Sequence, residues 1–125
     1  MSKRSQQVAE EIQHILSEVI QYELKDPRVG FASIVSVNLS NDLQHARVNI
    51  SIMDESQRAD TMQALEHAKS FLRRRIAQEL RHLRMVPDLH LELDTSLDYT
   101  MHIEQLLRQV EEDRRSNPPA LDTQP

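Results

Sequence analysis

Two runs of alternating apolar and polar residues, separated by Ser40-Asn41-Asp42, do most to restrict what this 125-residue chain can become. Ala46, Val48, Ile50 and Ile52 alternate with Arg47, Asn49 and Ser51 in the second run. In the first, Phe31, Val35, Val37 and Leu39 are expected on one side and Ser36 and Asn38 on the other, with Ser33 and Ile34 blurring the pattern. A period of two belongs to a strand, and Ser, Asn and Asp side chains favour turns by hydrogen-bonding their own backbone. The two runs are therefore predicted to form a β-hairpin. Each strand shows one apolar side, so one face of the sheet must be covered and the other is expected to be open.

The flanking segments supply the cover. Residues 4–25 carry Val8, Ile12, Ile15, Leu16, Val19 and Ile20 at helical spacing, and Asp26-Pro27 ends that helix because proline cannot continue the ladder. Gly30 gives freedom to the link that follows. Residues 57–84 return to helical spacing through Met62, Leu65, Phe71, Leu72, Ile76, Leu80 and Leu83, and Pro87 closes the stretch. Leu89, Leu91 and Leu93 alternate with His90, Glu92 and Asp94 as a third strand, short enough to offer an edge. Asp98 is placed to cap a last helix striped by Ile103, Leu106, Leu107 and Val110. The predicted class is α+β, with a three-stranded sheet packed against helices in the order α-β-β-α-β-α, the long middle helix allowing a break. One domain is expected over 4–113. Residues 114–125, polar and proline-containing, are expected to form a disordered tail.

Charge is distributed unevenly. Lys69 to Arg84 holds six bases, Lys69, Arg73, Arg74, Arg75, Arg81 and Arg84, against the single acid Glu79, while the whole chain is net −5. On a helical wheel Leu72, Ile76, Leu80 and Leu83 share a sector roughly 80° wide, and Arg73, Arg74, Arg81 and Arg84 share the neighbouring sector of roughly 100°. Arg75 falls elsewhere and is placed to pair with Glu79. A cationic block with few local acids is what a phosphate-binding surface requires. The plainer alternative is a solvated helix whose arginines lie over apolar neighbours.

Composition closes off other functions. The absence of cysteine excludes disulfides, thiolate metal sites and cysteine nucleophiles, and fits a reducing compartment. Four aromatics and one glycine leave little for a base-stacking platform or a glycine-rich nucleotide loop. The six histidines show no metal-ligand spacing, and no serine or carboxylate pair has a recognisable catalytic partner. No metal, cofactor or catalysis is expected. No stretch reaches the ~18 apolar residues of a membrane span, and Glu10, Glu11, Gln13 and His14 interrupt the first apolar region, so a cytoplasmic location is expected.

Several motifs then coincide: Lys25-Asp-Pro-Arg-Val-Gly30, Val37-Asn-Leu-Ser-Asn-Asp42, Ala46-Arg-Val-Asn-Ile50, and Leu80-Arg-His-Leu-Arg-Met-Val-Pro-Asp-Leu89 running into Leu91-Glu-Leu-Asp-Thr-Ser96. In this order and spacing, from about Arg4 to Arg115, the chain resembles the ribosome-binding factor A family, bacterial assembly factors of the small ribosomal subunit. The resemblance implies a type II KH-like fold, α-β-β-α-α-β, in which a kink with the sequence Ala-x-Gly replaces the usual Gly-x-x-Gly loop. Here the matching positions are Ala68-Lys69-Ser70, so Ser70 is expected to take a backbone conformation that side-chain bulk opposes.

The resemblance further implies a non-enzymatic role: binding 16S ribosomal RNA on the free small subunit during late maturation, including processing at the RNA's 5′ end, with an association to growth in the cold. The expected partners are the small subunit and its RNA, an assembly GTPase being open as a further one, and the protein is expected to be a monomer. Candidate RNA-binding residues are Lys3, Arg4, Arg28, Lys69, Arg73, Arg74, Arg81 and Arg84. For Arg28 a pairing with Asp26 is an equal alternative, and Arg47 is expected to be a neutral strand arginine. A different class stays open, a protein-interaction module or homodimer that makes no RNA contact. Salt separates the two, because RNA binding weakens as salt rises.

Overall fold

The computed structural model describes residues 3–116, apart from the side chains of Leu97 and Ser116. These residues fall into two compact units divided between Asp94 and Thr95, where the sequence suggested one domain over 4–113.

The first unit opens with α1 (Lys3–Glu18), which continues into a π-helical turn at Val19–Glu23 closed by Leu24 N–H donating to the Val19 carbonyl at 3.0 Å. The extra residue keeps both Val19 and Ile20 buried while Tyr22 faces solvent. Asp26 then caps a 3₁₀ turn at Pro27–Phe31, accepting from the Arg28 N–H at 3.0 Å. Strands β1 (Ala32–Leu39) and β2 (His45–Ile52) form the expected antiparallel hairpin. Its turn is built as its sequence suggests: the Ser40 hydroxyl donates to Asp42 at 2.6 Å, and Asp42 accepts the Gln44 N–H at 3.1 Å. Leu43 takes a positive φ of 61° in that turn.

The first strand departs from its expected phase. Ile34 pairs with Ile50 and Ser36 with Asn49, so Val35 is the extra residue of a β-bulge. One inserted residue reverses the alternation: Ile34 packs against the core before the bulge, and Val37 and Leu39 after it. Phe31 and Val35, expected on the apolar side, are each 47% exposed. The Gln13 side chain donates to the Val35 carbonyl at 3.3 Å, satisfying a backbone group that the bulge removes from the ladder.

From β2 the chain passes through a 3₁₀ turn into α2 (Arg58–His67) and α3 (Lys69–Glu79), then returns as β3 (Asp88–Leu93), parallel to β2. The strand order is β1-β2-β3, leaving β1 and β3 at the edges. The element order of this unit is that of a type II KH-like fold. Its helices cover one sheet face: Ile12, Leu16, Leu65, Leu72 and Ile76 are fully buried with Val48, Ile50, Ile52 and Leu89. Each such side chain contributes roughly 1.5–3 kcal/mol through removal from water. The buried Thr61 hydroxyl donates to the Arg28 carbonyl at 2.9 Å and ties α2 to the 3₁₀ segment. On the other face Asn38, His45, Arg47, His90 and Glu92 are exposed, as the strand alternation predicted.

The second unit is the helix α4 (Ser96–Ser116). It runs to Ser116, past residue 114 where the tail was expected to begin, and positions 117–125 lie outside the described residues. Ile103, Leu106, Leu107 and Val110, the expected stripe, are between 38% and 63% exposed.

Candidate nucleic-acid interface

The cationic segment Lys69 to Arg84 divides into a helix and a loop. α3 stops at Glu79, and Leu80, at φ −113° and ψ 66°, leaves helical geometry. The sequence carries helical spacing through residue 84 because Leu80 and Leu83 keep it. They are instead the inward residues of a loop, residues 80–87: Leu80 is buried, and Leu83 and Val86 pack against the core. Arg81 and Arg84 therefore sit on that loop and not on the helix. The Leu83 N–H donates to the Leu80 carbonyl at 3.2 Å, and Arg81 Nε reaches the Gln78 carbonyl at 3.4 Å, covering one of the unpaired carbonyls at the helix end.

Arg73 holds the loop in place. Its Nη2 donates to the Val86 carbonyl at 3.0 Å and its Nε to the Pro87 carbonyl at 3.3 Å, while Asp88 lies 3.6 Å from Nη2. The planar guanidinium suits this forked contact with two successive carbonyls. Arg75 also has a structural part. It pairs with Glu23 through Nε at 2.9 Å and Nη2 at 3.2 Å, donates to Gln78 at 2.8 Å, and lies 3.3 Å from Glu79, the partner foreseen for it. The two-pronged hydrogen bond to Glu23 holds the Arg75 proton even more firmly than usual.

The remaining candidates separate by their partners. Lys69 Nζ lies 2.9 Å from Glu66. Arg28 forms a two-pronged pair with Asp26, Nη2 to Oδ2 at 2.7 Å, which pulls the Asp26 carboxyl below its ordinary range. That is the pairing alternative weighed for Arg28, and it leaves the residue locked beside the 3₁₀ turn, apart from the loop. Arg47 lies 3.4 Å from Glu92 on the open sheet face. Lys3, Arg4, Arg74 and Arg84 are exposed with no ion pair or hydrogen bond among the described residues. Lys3 and Arg4 stand in the first turn of α1. One turn further on, Gln7, Glu10, Glu11 and His14 line a groove with Glu79 and Leu80, so carboxylates lie beside α1 where it passes the end of α3.

The interhelical break falls at Ala68, whose φ of −86° is negative as any residue allows but whose ψ of −2° lies outside the helical range. Ser70 belongs to the first turn of α3 and has no positive φ. The expectation of a strained Ser70 is thus corrected: the change of direction is made by a non-helical ψ at Ala68, which an alanine adopts without a glycine.

Two features were not read from the sequence. Met85 is 56% exposed on the loop, between residues that are anchored. On the open sheet face His45 Nδ1 lies 3.0 Å from His90 Nε2, a contact set by the β2–β3 register. Alternation places both histidines outward, but only the parallel pairing brings them together. Among the described residues no group of three or more His, Asp or Glu is arranged to hold a metal ion, and no helix is long and apolar enough to cross a membrane.

Comparison with known proteins gives one family. Residues 4–107 match the sequence model of ribosome-binding factor A. Ribosome-binding factor A of Roseiflexus sp. (strain RS-1) is 60% identical over 120 residues, covering 95% of this chain and 92% of that protein. Among solved structures, a putative ribosome binding factor A of Thermotoga maritima superposes with a TM-score of 0.64 at 34% identity, covering 74% of this chain and 88% of that one. Ribosome binding factor A of Thermus thermophilus, fitted into a cryo-EM map of a 30S complex, superposes with a TM-score of 0.58 at 28% identity over 70% of this chain and 91% of that one.

Proposed function

The chain belongs to the ribosome-binding factor A family, and we propose that it binds the free small ribosomal subunit through 16S ribosomal RNA in the cytoplasm, as a monomer. In this reading residues 4–113 are the ribosome-binding part. The protein assists late maturation, including processing at the RNA's 5′ end, by favouring one arrangement of the RNA through differential affinity. No bond-making step is assigned to it.

The observation that carries the reading is the division of the cationic segment. Arg74, Arg81 and Arg84 are exposed and none has a carboxylate partner, on a chain that is net negative and would otherwise be repelled by RNA. Support for the partner comes from the Thermus thermophilus relative, described in a 30S complex. Lys3 and Arg4 are proposed as additional phosphate contacts. Arg28, Lys69 and Arg73 are already engaged by protein groups and contribute less than their charge suggests.

The test is binding of the full chain to purified small subunits across a salt series. Three phosphate contacts predict a slope of about −2 in log affinity against log salt, or about a twentyfold loss between 50 and 200 mM. The exposed apolar stripe of α4 favours the second reading, a protein-interaction module, whose association would hold steady or strengthen as salt rises.

A further inference from the structure

The loop of residues 80–87 alternates between anchors and exposed groups. Leu80, Leu83 and Val86 are turned toward the core and Pro87 is buried. Arg73 grips the carbonyls of Val86 and Pro87. Past the loop, the Asp88 N–H donates to the Gln44 carbonyl at 2.8 Å. Both ends and the middle are therefore fixed. What the loop presents to solvent is Arg81, His82, Arg84 and Met85, the last 56% exposed.

A lone exposed apolar side chain usually needs no explanation. Met85 differs because it directly follows an unpaired arginine in a loop too well anchored to fold it away. Its polarisable thioether makes favourable contacts with aromatic rings, and a nucleobase is such a ring. RNA is read in sequence mainly where its bases are unstacked, a task usually done by aromatic side chains. No Phe, Tyr or Trp stands on this loop; its one aromatic ring is the polar imidazole of His82, and Met85 is its one exposed apolar group.

We infer that residues 80–87 form a preformed nucleoside-contacting arm: Met85 packs against the face of an unpaired base or its ribose, Arg81 and Arg84 take the flanking phosphates, and Arg73 is the positioning residue. This inference rests on the RNA-binding reading above and adds a ligand class to it, an RNA segment with at least one splayed base. Ordering the loop before binding spares the entropy of ordering it on contact.

The experiment uses the full chain and purified small subunits, with variants Met85→Ala, Arg73→Lys and Arg84→Gln. Each is checked by thermal melting, then measured for affinity over a salt series and for reactivity of the RNA toward base-modifying reagents. Met85→Ala is expected to weaken binding roughly fivefold through lost apolar contact, to leave the salt slope unchanged, and to restore reactivity at one or two nucleotides that the wild type protects. Arg73→Lys keeps the charge but loses the fork; it is expected to weaken binding with no change of slope and to expose the same nucleotides. Arg84→Gln is expected to flatten the slope by about 0.7.

A flattened slope with Arg84→Gln but full affinity for Met85→Ala overturns the inference and leaves the RNA-binding reading standing. So does a loss of affinity for Met85→Ala with no nucleotide changing reactivity, which would place Met85 against a ribosomal protein. If Arg73→Lys binds as the wild type does, Arg73 is not a positioning residue. If Arg84→Gln also behaves as wild type, the assignment of Arg84 to a phosphate fails and the inference with it, and if the wild-type affinity does not fall with salt the RNA-binding reading fails too.

Discussion

Helix α3 and the loop that follows it are similarly rich in arginine, yet their arginines are used differently. On α3, Arg73 and Arg75 reach across the fold, one to the carbonyls of Val86 and Pro87 and the other to Glu23 on the π-helical turn. On the loop, Arg84 has no partner among the described residues and Arg81 only a long contact to a helix-end carbonyl. Charge density marks the region, but only the partners tell a strut from a contact. Arg74 is the exception on the helix, exposed and unpaired like the loop residues.

The largest effect should come from the unpaired set. Arg74→Glu, Arg81→Glu and Arg84→Glu together should abolish small-subunit binding while leaving the melting temperature close to wild type, since all three are exposed. A triple variant that melts normally and binds normally would show that these three arginines are only solvated charges.

The struts should show the reverse balance. Arg73→Glu removes two hydrogen bonds from a guanidinium to backbone carbonyls and should cost about 2 kcal/mol in urea unfolding. Arg74→Glu, one position on, should stay within about 0.5 kcal/mol of wild type. Equal costs at the two positions would show that the Arg73 fork does not hold the loop.

A third prediction concerns acid. Because Arg28 lowers the Asp26 pKa in the folded state, this pair stabilises the protein at all pH values above the carboxyl's unfolded pKa of about 3.9. Its contribution is lost as pH falls through the lowered folded value. Asp26→Asn should therefore be less stable than wild type between pH 5 and 7 by a constant amount, and the gap should close below about pH 4. A gap that opens only on acidification would contradict the pairing. The smallest effect is expected at Ser70→Val, an exposed site in regular helix, which should cost no more than about 0.5 kcal/mol. A larger loss would return the strain to Ser70.

Much of this was legible in the sequence, for reasons that also explain the rest. The hairpin was readable because Ala46 to Ile52 alternates without interruption and Ser40-Asn41-Asp42 supplies its own turn bonds. The start of β1 is read out of phase because Phe31 and Val35 are apolar and share one parity, and the inserted residue is marked only by Ser33 and Ile34, which blur the alternation just before the bulge. The end of α3 was hidden for a similar reason. Leu80 and Leu83 satisfy helical spacing as well as they satisfy an anchored loop, and no glycine marks the stop. The choice is made by the Arg73 fork, a contact across 13 residues. The cationic character of the site was visible from composition alone, whereas the split between Arg73 and Arg84 depends on tertiary partners that no spacing rule encodes.

The unpaired arginines lie on the loop of residues 80–87 and its neighbouring helix, whereas Arg47 on the open sheet face is already paired with Glu92, so the loop is expected to lie nearer the ribosomal RNA than that face. The chain contains no cysteine, so a single one can be placed at will. His82→Cys puts it on the loop and Asn38→Cys puts it on the open face, both at exposed positions. Each protein, carrying a tethered hydroxyl-radical source, is bound to purified small subunits and cleavage of the 16S RNA is mapped. Strong, localised cleavage from position 82 and weak cleavage from position 38 is the predicted result. Strong cleavage from position 38 with none from position 82 would contradict it.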